Sequence, residues 1–140
     1  MATLEATLRL FRNPETLMKE HAVLRMITMK KEDISLRADK LARQLLQKIG
    51  DHAKIELVEG FSQIGGGSMP GDNMPTILIS VKGRGISLDD AAKSLRLGKP
   101  SVVCRIQRDA LLFDLRTVQE AEDEELAAAI SKIPFVPRSC

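Results

Sequence analysis

Few residues in this sequence are of types that catalyse reactions or bind metals, and they lie far apart. The two histidines, His21 and His52, have no cysteine near them, and this spacing does not suit a zinc site. Cys104 lies in an apolar run and Cys140 is the last residue. Their positions favour free thiols in a reducing compartment, the cytoplasm, over a disulfide framework. The sequence therefore predicts no metal centre and shows no generic catalytic signature.

The most irregular stretch of the sequence contains Gly65, Gly66, Gly67 and Ser68. No Lys-Ser or Lys-Thr follows at the spacing of a phosphate-binding P-loop, and the glycines do not match the dinucleotide fingerprint. Two interpretations remain open. The stretch is either a flexible connection between strands or a backbone held open so that another surface approaches closely, which glycine permits because it has no Cβ.

Three charged residues lie within apolar runs. Alternation along a strand over 101–107 would place Arg105 on the same face as Ser101 and Val103. A guanidinium in such surroundings requires a carboxylate or phosphate partner, unless the strand is an edge strand and the side chain reaches solvent. Asp114 and Arg116 lie two apart on a second predicted strand, and we expect internal ion pairs with a neighbouring strand.

These residues must be positioned by short elements whose order is readable from the pattern. Periodic apolar residues predict helices over 3–12, 14–21, 33–49, 88–98 and 123–133, and alternating or apolar runs predict strands over 54–59, 76–81, 101–107 and 110–116. Four basic residues fall largely off the apolar stripe of the helix over 33–49 and predict a solvated face: Arg37, Lys40, Arg43 and Lys48. The order favours an α+β fold, a small antiparallel or mixed four-stranded sheet with helices on one face, preceded by N-terminal helices.

Composition narrows the class of protein further. The 140 residues fit one domain, with 44% hydrophobic and 29% charged residues. Basic and acidic residues nearly balance, at 21 and 19, so charge alone predicts no nucleic-acid partner. Four Phe without Trp or Tyr exclude an aromatic platform for single-stranded nucleic acid. No apolar stretch approaches the ~20 residues of a membrane span.

Three segments taken together resemble the C-terminal part of bacterial selenocysteine synthase, L-seryl-tRNA(Sec) selenium transferase. They are LEATLRL at 4–10, QIGGGSMP at 63–70, and PSVVCRI at 100–106 running into LLFDLRTV at 111–118. Each segment is a weak motif, but their order and spacing agree with the family over nearly the whole chain. The resemblance implies the small domain of a fold-type I enzyme that depends on pyridoxal 5′-phosphate (PLP).

The resemblance also implies a reaction and a division of labour. The full enzyme converts seryl-tRNA(Sec) to selenocysteinyl-tRNA(Sec) with selenophosphate, while PLP acts as the electron sink. The Schiff-base lysine of the family lies upstream of the LEATLRL segment, so we assign no catalytic residue here and expect this segment alone to be inactive and not to hold PLP covalently. By resemblance, Arg105 would meet an anionic group, and Gly65, Gly66, Gly67 and Ser68 would form an active-site loop near the cofactor.

The resemblance further implies that the chain is incomplete. Residues 1–32 would be a helical lead-in from a missing large domain, 33–134 the α+β domain and 135–140 a tail. The chain would then be an excised piece or a truncated gene product. The implied partners are the large domain, tRNA(Sec), selenophosphate and further copies in a homo-oligomer, without a membrane.

Two alternatives stay open. The first is the small domain of a related PLP ammonia-lyase that acts on an amino-sugar acid phosphate and not on tRNA. The second is a non-catalytic binding or assembly module, in which Leu4, Leu8 and Phe11 would form a docking face.

Overall fold

The computed structural model describes residues 4–5, 22–63 and 73–136. Within these ranges the chain forms four helices: α1 (Ala22–Thr28), α2 (Lys31–Ile49), α3 (Leu88–Leu97) and α4 (Asp123–Ser131). It also forms four strands: β1 (Ala53–Gln63), β2 (Asn73–Gly83), β3 (Arg105–Gln107) and β4 (Ala110–Asp114). Residues 4 and 5 are helical. The rest of the two predicted N-terminal helices and the glycine stretch lie outside the described residues.

The four strands form one sheet in the order β1-β2-β4-β3, and every neighbouring pair is antiparallel. β1 and β2 pair along their whole length, from Ala53 opposite Gly83 to Gln63 opposite Asn73. This arrangement confirms the predicted α+β class. Of the two predicted kinds of sheet, antiparallel or mixed, the observed sheet is antiparallel. It also makes β1 and β3 the two edge strands.

One face of the sheet carries the main core. Three helices, α2, α3 and α4, pack their apolar sides onto that face. The largest fully buried apolar side chains in this core are Ile34, Leu41, Leu45, Ile79, Val81, Leu111, Leu115 and Ile130. Burying one such side chain stabilises the fold by about 1.5–3 kcal/mol. The helices therefore hold the sheet firmly from one side, and the polar side chains on its other face have a stable support.

The strand predicted over 101–107 is correct only at its end, 105–107. Residues 101–104 are not in the sheet, and the first two of them bond to helix α3. The backbone N–H of Val102 donates to the carbonyl of Leu95 at 2.9 Å, and the Ser101 hydroxyl donates to the carbonyl of Arg96. These bonds satisfy carbonyls at the C-terminal end of the helix. The expectation that Arg105 shares a strand face with Ser101 and Val103 is therefore wrong.

Arg37 corrects another expectation, since it does not belong to a solvated face. Its guanidinium donates to both carboxylate oxygens of Asp123, at 2.6 and 3.1 Å, with side chains only 14% and 20% exposed. It also donates to the carbonyls of Leu115 and Val118 at 3.3 and 3.1 Å. Arg37 thereby ties α2 to the start of α4. Arg43, by contrast, is exposed and pairs with Asp39, one helical turn away.

Arg116 lies in the short 3-10 turn Leu115–Thr117 that ends β4, not on a strand. Its guanidinium donates to the carbonyls of Met26 and Met29 at 2.8 and 2.7 Å, and to the carbonyl of Pro75 at 2.8 Å. The expected ion pair is wrong for this residue, because its partners in the described part of the chain are backbone carbonyls. Arg116 joins the end of α1 to the start of β2.

Candidate anion-binding site

The face of the sheet opposite the three helices is called here the second face, and the strand register determines which residues stand on it. Glu56 lies opposite Ser80, and Ser80 lies opposite Leu112. Arg105 in turn lies opposite Leu112 on the other side of β4. Residues directly opposite in antiparallel strands share a face, so these four side chains are on the second face together.

A cleft of about 530 Å³ runs over the second face. Its floor is apolar and comes from β1, β2 and β4: Val58, Leu78, Ala110 and Leu112. Three cationic side chains line it as well: Lys82, Arg105 and Arg108. Gly60 also lines the cleft, where a Cβ would come within 2.6 Å of the Leu78 side chain, so the glycine lets Leu78 pack flat against β1.

Arg105 is the first residue of edge strand β3, and its side chain is 49% exposed. One terminal nitrogen donates to the carbonyl of Phe61 at 3.3 Å, and the other lies 3.8 Å from a carboxylate oxygen of Asp114. A guanidinium has five N–H groups, so this contact set holds Arg105 in place and leaves donors for a ligand. The sequence left open whether Arg105 has an anionic partner or reaches solvent from an edge strand. Both are true, because Arg105 has a carboxylate partner and its side chain is half exposed.

Asp114 fixes this end of the cleft. Its carboxylate accepts hydrogen bonds from the Ser62 hydroxyl, from the Thr76 hydroxyl at 3.0 Å and from the backbone N–H of Arg116 at 3.0 Å. The Asp114 side chain is 10% exposed. The internal ion pair expected for Asp114 is confirmed, with Arg105 of the neighbouring strand as its partner. A carboxylate held by three donors is a rigid anchor for a guanidinium.

The acidic residues of the cleft are already balanced by lysines. Glu56 pairs with Lys54 at 2.6 Å. Glu59 pairs with Lys31 at 2.8 Å, and the hydrogen bond from the Lys31 ammonium, helped by its charge, lowers the pKa of the Glu59 carboxyl. Positive charge therefore dominates what a ligand in the cleft would meet.

The other predicted residues are not brought to this cleft by any described contact. Gly65, Gly66, Gly67 and Ser68 lie outside the described residues. In the parts of the chain that the structure covers, no group of three His, Cys, Asp or Glu side chains could hold a metal ion. Cys104 has a free, half-buried thiol whose pKa is raised by burial, so it is a poor nucleophile at neutral pH.

Reasoning from the sequence missed Lys82, Arg108 and Ser80 as residues of the cleft. A signal for two of them existed, since the alternation that begins at Thr76 continues through Ser80 to Lys82. The predicted strand ends at Val81, so Lys82 is not expected to share a strand face with Ser80, whereas the observed strand continues to Gly83. Arg108 was assigned to a turn, and only the pairing of β3 with β4 brings that turn to the cleft.

Fold and cleft together define an α+β domain with a basic cleft on the free face of its sheet. The profile of the SelA family, described as L-seryl-tRNA selenium transferase, matches residues 1–119. The chain belongs to this family. No helix among the residues described is long and apolar enough to cross a membrane.

Individual relatives agree with the family match. An L-seryl-tRNA(Sec) selenium transferase of Moorella thermoacetica is 38% identical over 130 residues, covering 93% of this chain and 28% of the relative. Proteins of the same name from Maridesulfovibrio salexigens and Geotalea daltonii are 38% identical over 134 and 133 residues, covering 95% of this chain and 29% of each relative. The chain therefore spans less than a third of the length of the relatives that it matches.

Proposed function

We propose that this chain is the small domain of an L-seryl-tRNA(Sec) selenium transferase, which converts seryl-tRNA(Sec) to selenocysteinyl-tRNA(Sec) with selenophosphate in the cytoplasm. The family match over residues 1–119 carries this proposal. In this proposal, residues 1–32 lead in from a large domain, 33–134 form the α+β domain and 135–140 are a tail. The alternatives of an ammonia-lyase and a non-catalytic module are not favoured by the names of the relatives.

The cofactor belongs, in this proposal, to the part of the enzyme that the chain does not include. PLP bound to a lysine supplies an electron sink for chemistry next to an amino group. A Schiff-base lysine needs a site shielded from water to be activated, and no lysine in the described ranges is buried. These residues do not fit a covalent PLP site, which supports the expectation that the chain alone is inactive.

Arg105 is proposed to bind an anionic group during the reaction of the full-length enzyme. The serine carboxyl is esterified to tRNA, so the anion must be another group, such as a phosphate or selenophosphate. The support is the geometry at Arg105, which Asp114 and the Phe61 carbonyl hold in place at a half-exposed position on the cleft. The stretch Gly65, Gly66, Gly67 and Ser68 is proposed to lie near the cofactor, as its resemblance to the family implies.

The role of Arg105 is tested by substitution in the full-length enzyme. Arg105→Ala should lower selenium transfer about 10- to 100-fold, because a charge-assisted hydrogen bond contributes about 1.5–3 kcal/mol. Arg105→Lys should recover part of the loss. The matched control is Arg43→Ala, which removes an exposed arginine of α2 and should leave the rate unchanged. Selenium transfer at the native rate in Arg105→Ala would show that this arginine binds no reacting group.

The identity of the substrate is tested separately. We expect the full-length protein, which we propose to be a homo-oligomer, to retain seryl-tRNA(Sec) on a filter or in size-exclusion chromatography. A lyase for small metabolites has no reason to bind it. Failure to retain seryl-tRNA(Sec) at micromolar protein, with the lyase reaction present, would replace the transferase proposal by the lyase.

A further inference from the structure

We propose that the cleft contains a second anion site at the end of the sheet opposite Asp114. Its residues are Ser80, Lys82, Gln107 and Arg108, and we infer that it binds a phosphate-class dianion. The proposal concerns these four residues only. It does not depend on the role proposed for Arg105 or on selenium transfer.

The register brings the four residues to one place. Gln107 pairs with Ala110 of β4, and Arg108 follows directly in the turn. Val81 pairs with Leu111, so the next residue, Lys82, stands beside Ala110 from the other side of β4. All four residues line the cleft. Arg105 lies three residues before Arg108 along the chain, roughly 10 Å at 3.3 Å per residue. Ser80 is level with Arg105 across β4, so Lys82 and Arg108 are the residues that set the second site apart from Arg105.

The charges at this end are not balanced. Neither Lys82 nor Arg108 forms an ion pair with another residue in the part of the chain described, unlike Arg105, which has Asp114. The nearest acidic residue of the cleft, Glu56, stands opposite Ser80 and pairs with Lys54. Lys82 and Arg108 therefore bring two positive charges to the cleft. The carboxylate beside them, Glu56, is already paired with Lys54.

Ser80 gives an independent indication of a ligand. The residue is only 4% exposed, and its hydroxyl has no hydrogen-bond partner among the residues described. Buried hydroxyls are normally paired, because an unpaired one costs about 1–3 kcal/mol. Yet the only side-chain atom in the described ranges that is both fully enclosed and unpaired is Nε of Arg116. The Ser80 hydroxyl therefore keeps a narrow opening, and the cleft is the space that it lines.

The donor set suits phosphate better than a carboxylate. A lysine offers a compact charge, an arginine offers a planar fork, and serine and glutamine add neutral donors. A phosphate dianion neutralises both charges with one group and has three terminal oxygens to accept these hydrogen bonds. A carboxylate would neutralise one charge and leave the other unpaired. Free phosphate and the phosphate of an organic monoester share this chemistry.

The test is an NMR titration of the 140-residue chain with inorganic phosphate, glycerol phosphate and acetate at constant ionic strength. We expect saturable amide shifts confined to the neighbourhood of Ser80–Lys82 and Gln107–Ala110 with both phosphates. Acetate should bind at least tenfold more weakly. Tighter binding of glycerol phosphate would identify a monoester as the source, and equal binding would identify the free anion.

Variants make the test specific. Lys82→Gln and Arg108→Asn should each weaken phosphate binding about tenfold, as expected for loss of one charge-assisted contact. Asparagine keeps a residue that tolerates the positive φ at position 108. Ser80→Ala should weaken binding a few-fold, and Lys93→Gln on helix α3 is the control that should change nothing.

Unsaturable shifts spread over all surface cations, or unchanged affinity in both Lys82→Gln and Arg108→Asn with native spectra, would overturn the site. Since selenium transfer by Arg105→Ala reports on a different residue, either proposal can fail while the other stands.

Discussion

Arg116 places a positive charge where only 3% of the residue is exposed, without a carboxylate on its guanidinium among the residues described. Three carbonyls replace the carboxylate. Met26 and Met29 supply two of them at the end of α1, where helix carbonyls lack partners and carry partial negative charge. The third belongs to Pro75 of β2. One terminal nitrogen of the guanidinium serves both methionine carbonyls and the other serves Pro75. The planar fork of arginine supplies two nitrogens at a fixed separation, which the single nitrogen of a lysine does not.

Arg116→Lys should therefore destabilise the fold in spite of keeping the charge. We expect a loss of about 2–4 kcal/mol in the free energy of unfolding, because at least one buried carbonyl loses its donor and the ammonium is incompletely solvated. Urea denaturation of the chain measures this loss. Arg43→Lys at an exposed site is the control and should change stability by less than about 0.5 kcal/mol. A native midpoint for Arg116→Lys would refute the structural role of the fork.

At the scale of elements, the two-residue turn between β3 and β4 is unusual in its backbone conformation, because neither of its residues is glycine. Arg108 and Asp109 both have positive φ, at 53° and 57°. This is the type I′ conformation, which matches the twist of a hairpin and favours Asn-Gly. A side chain in this region of backbone space is strained, although aspartate tolerates it better than most residues. The turn thus has a local cost that sets Arg108 beside the cleft.

Asp109→Gly should relieve that strain. We expect the free energy of unfolding to rise by about 0.5–1 kcal/mol, since glycine adopts positive φ without steric penalty. The control is Asp89→Gly in the first turn of α3, where φ is helical and the same change should destabilise by a similar amount. Thermal unfolding of the two variants decides the matter. A fall in stability for Asp109→Gly would mean that the aspartate makes a favourable contact that outweighs the strain.

Element types were predictable from the sequence where local signals were strong. Helices α2, α3 and α4 begin within two residues of their predicted starts, and α3 begins after Ser87, whose hydroxyl accepts from the N–H of Asp90 at 3.1 Å. Strand ends were not predictable, because they depend on partners. β1 and β2 extend each other to 11 residues by mutual pairing, whereas Ser101 and Val102 bond to α3 instead of to a strand.

At the scale of the whole molecule, the contact between Arg37 and Asp123 joins α2 to α4, two of the three helices that cover the sheet. The bidentate geometry and low exposure distinguish it from the pair of Arg43 and Asp39, whose side chains are 75% and 51% exposed. Exposed pairs typically contribute less than about 1 kcal/mol, and partly buried bidentate pairs contribute more.

A double-mutant cycle with Arg37→Met and Asp123→Asn should give a coupling energy of about 1–3 kcal/mol. The matched cycle with Arg43→Met and Asp39→Asn should give about 0.3–0.5 kcal/mol, as for other pairs one turn apart on a helix. Raising the salt concentration should reduce the second coupling much more than the first. Equal coupling energies in the two cycles would show that Arg37 does not lock α2 to α4.

Only part of the candidate site was predictable, because some of its contacts join residues that lie far apart in the sequence. Arg105 stood out because a charge within an apolar run is visible locally. Its anchors were not visible, because Asp114 reaches back to Ser62 and Thr76, 52 and 38 residues earlier. The helical and glycine-rich expectations for residues 6–21 and 64–72 remain predictions. Partners distant in sequence, and not local propensity, decide what Arg37, Arg105 and Arg116 do.

The separation between the arginines and their partners also has a consequence for how the chain is made. Met26 precedes Arg116 by 90 residues, and Arg37 precedes Asp123 by 86. A ribosome adds roughly 5–20 residues per second, so roughly 5–20 seconds pass between the synthesis of α1 and the arrival of the side chain that holds it. β1 and β2 are synthesised within this interval and can cover part of the apolar side of α2, but α4 is made only after Arg116. The side of α2 that faces α4 is therefore the last part of the core to be covered as the chain is made.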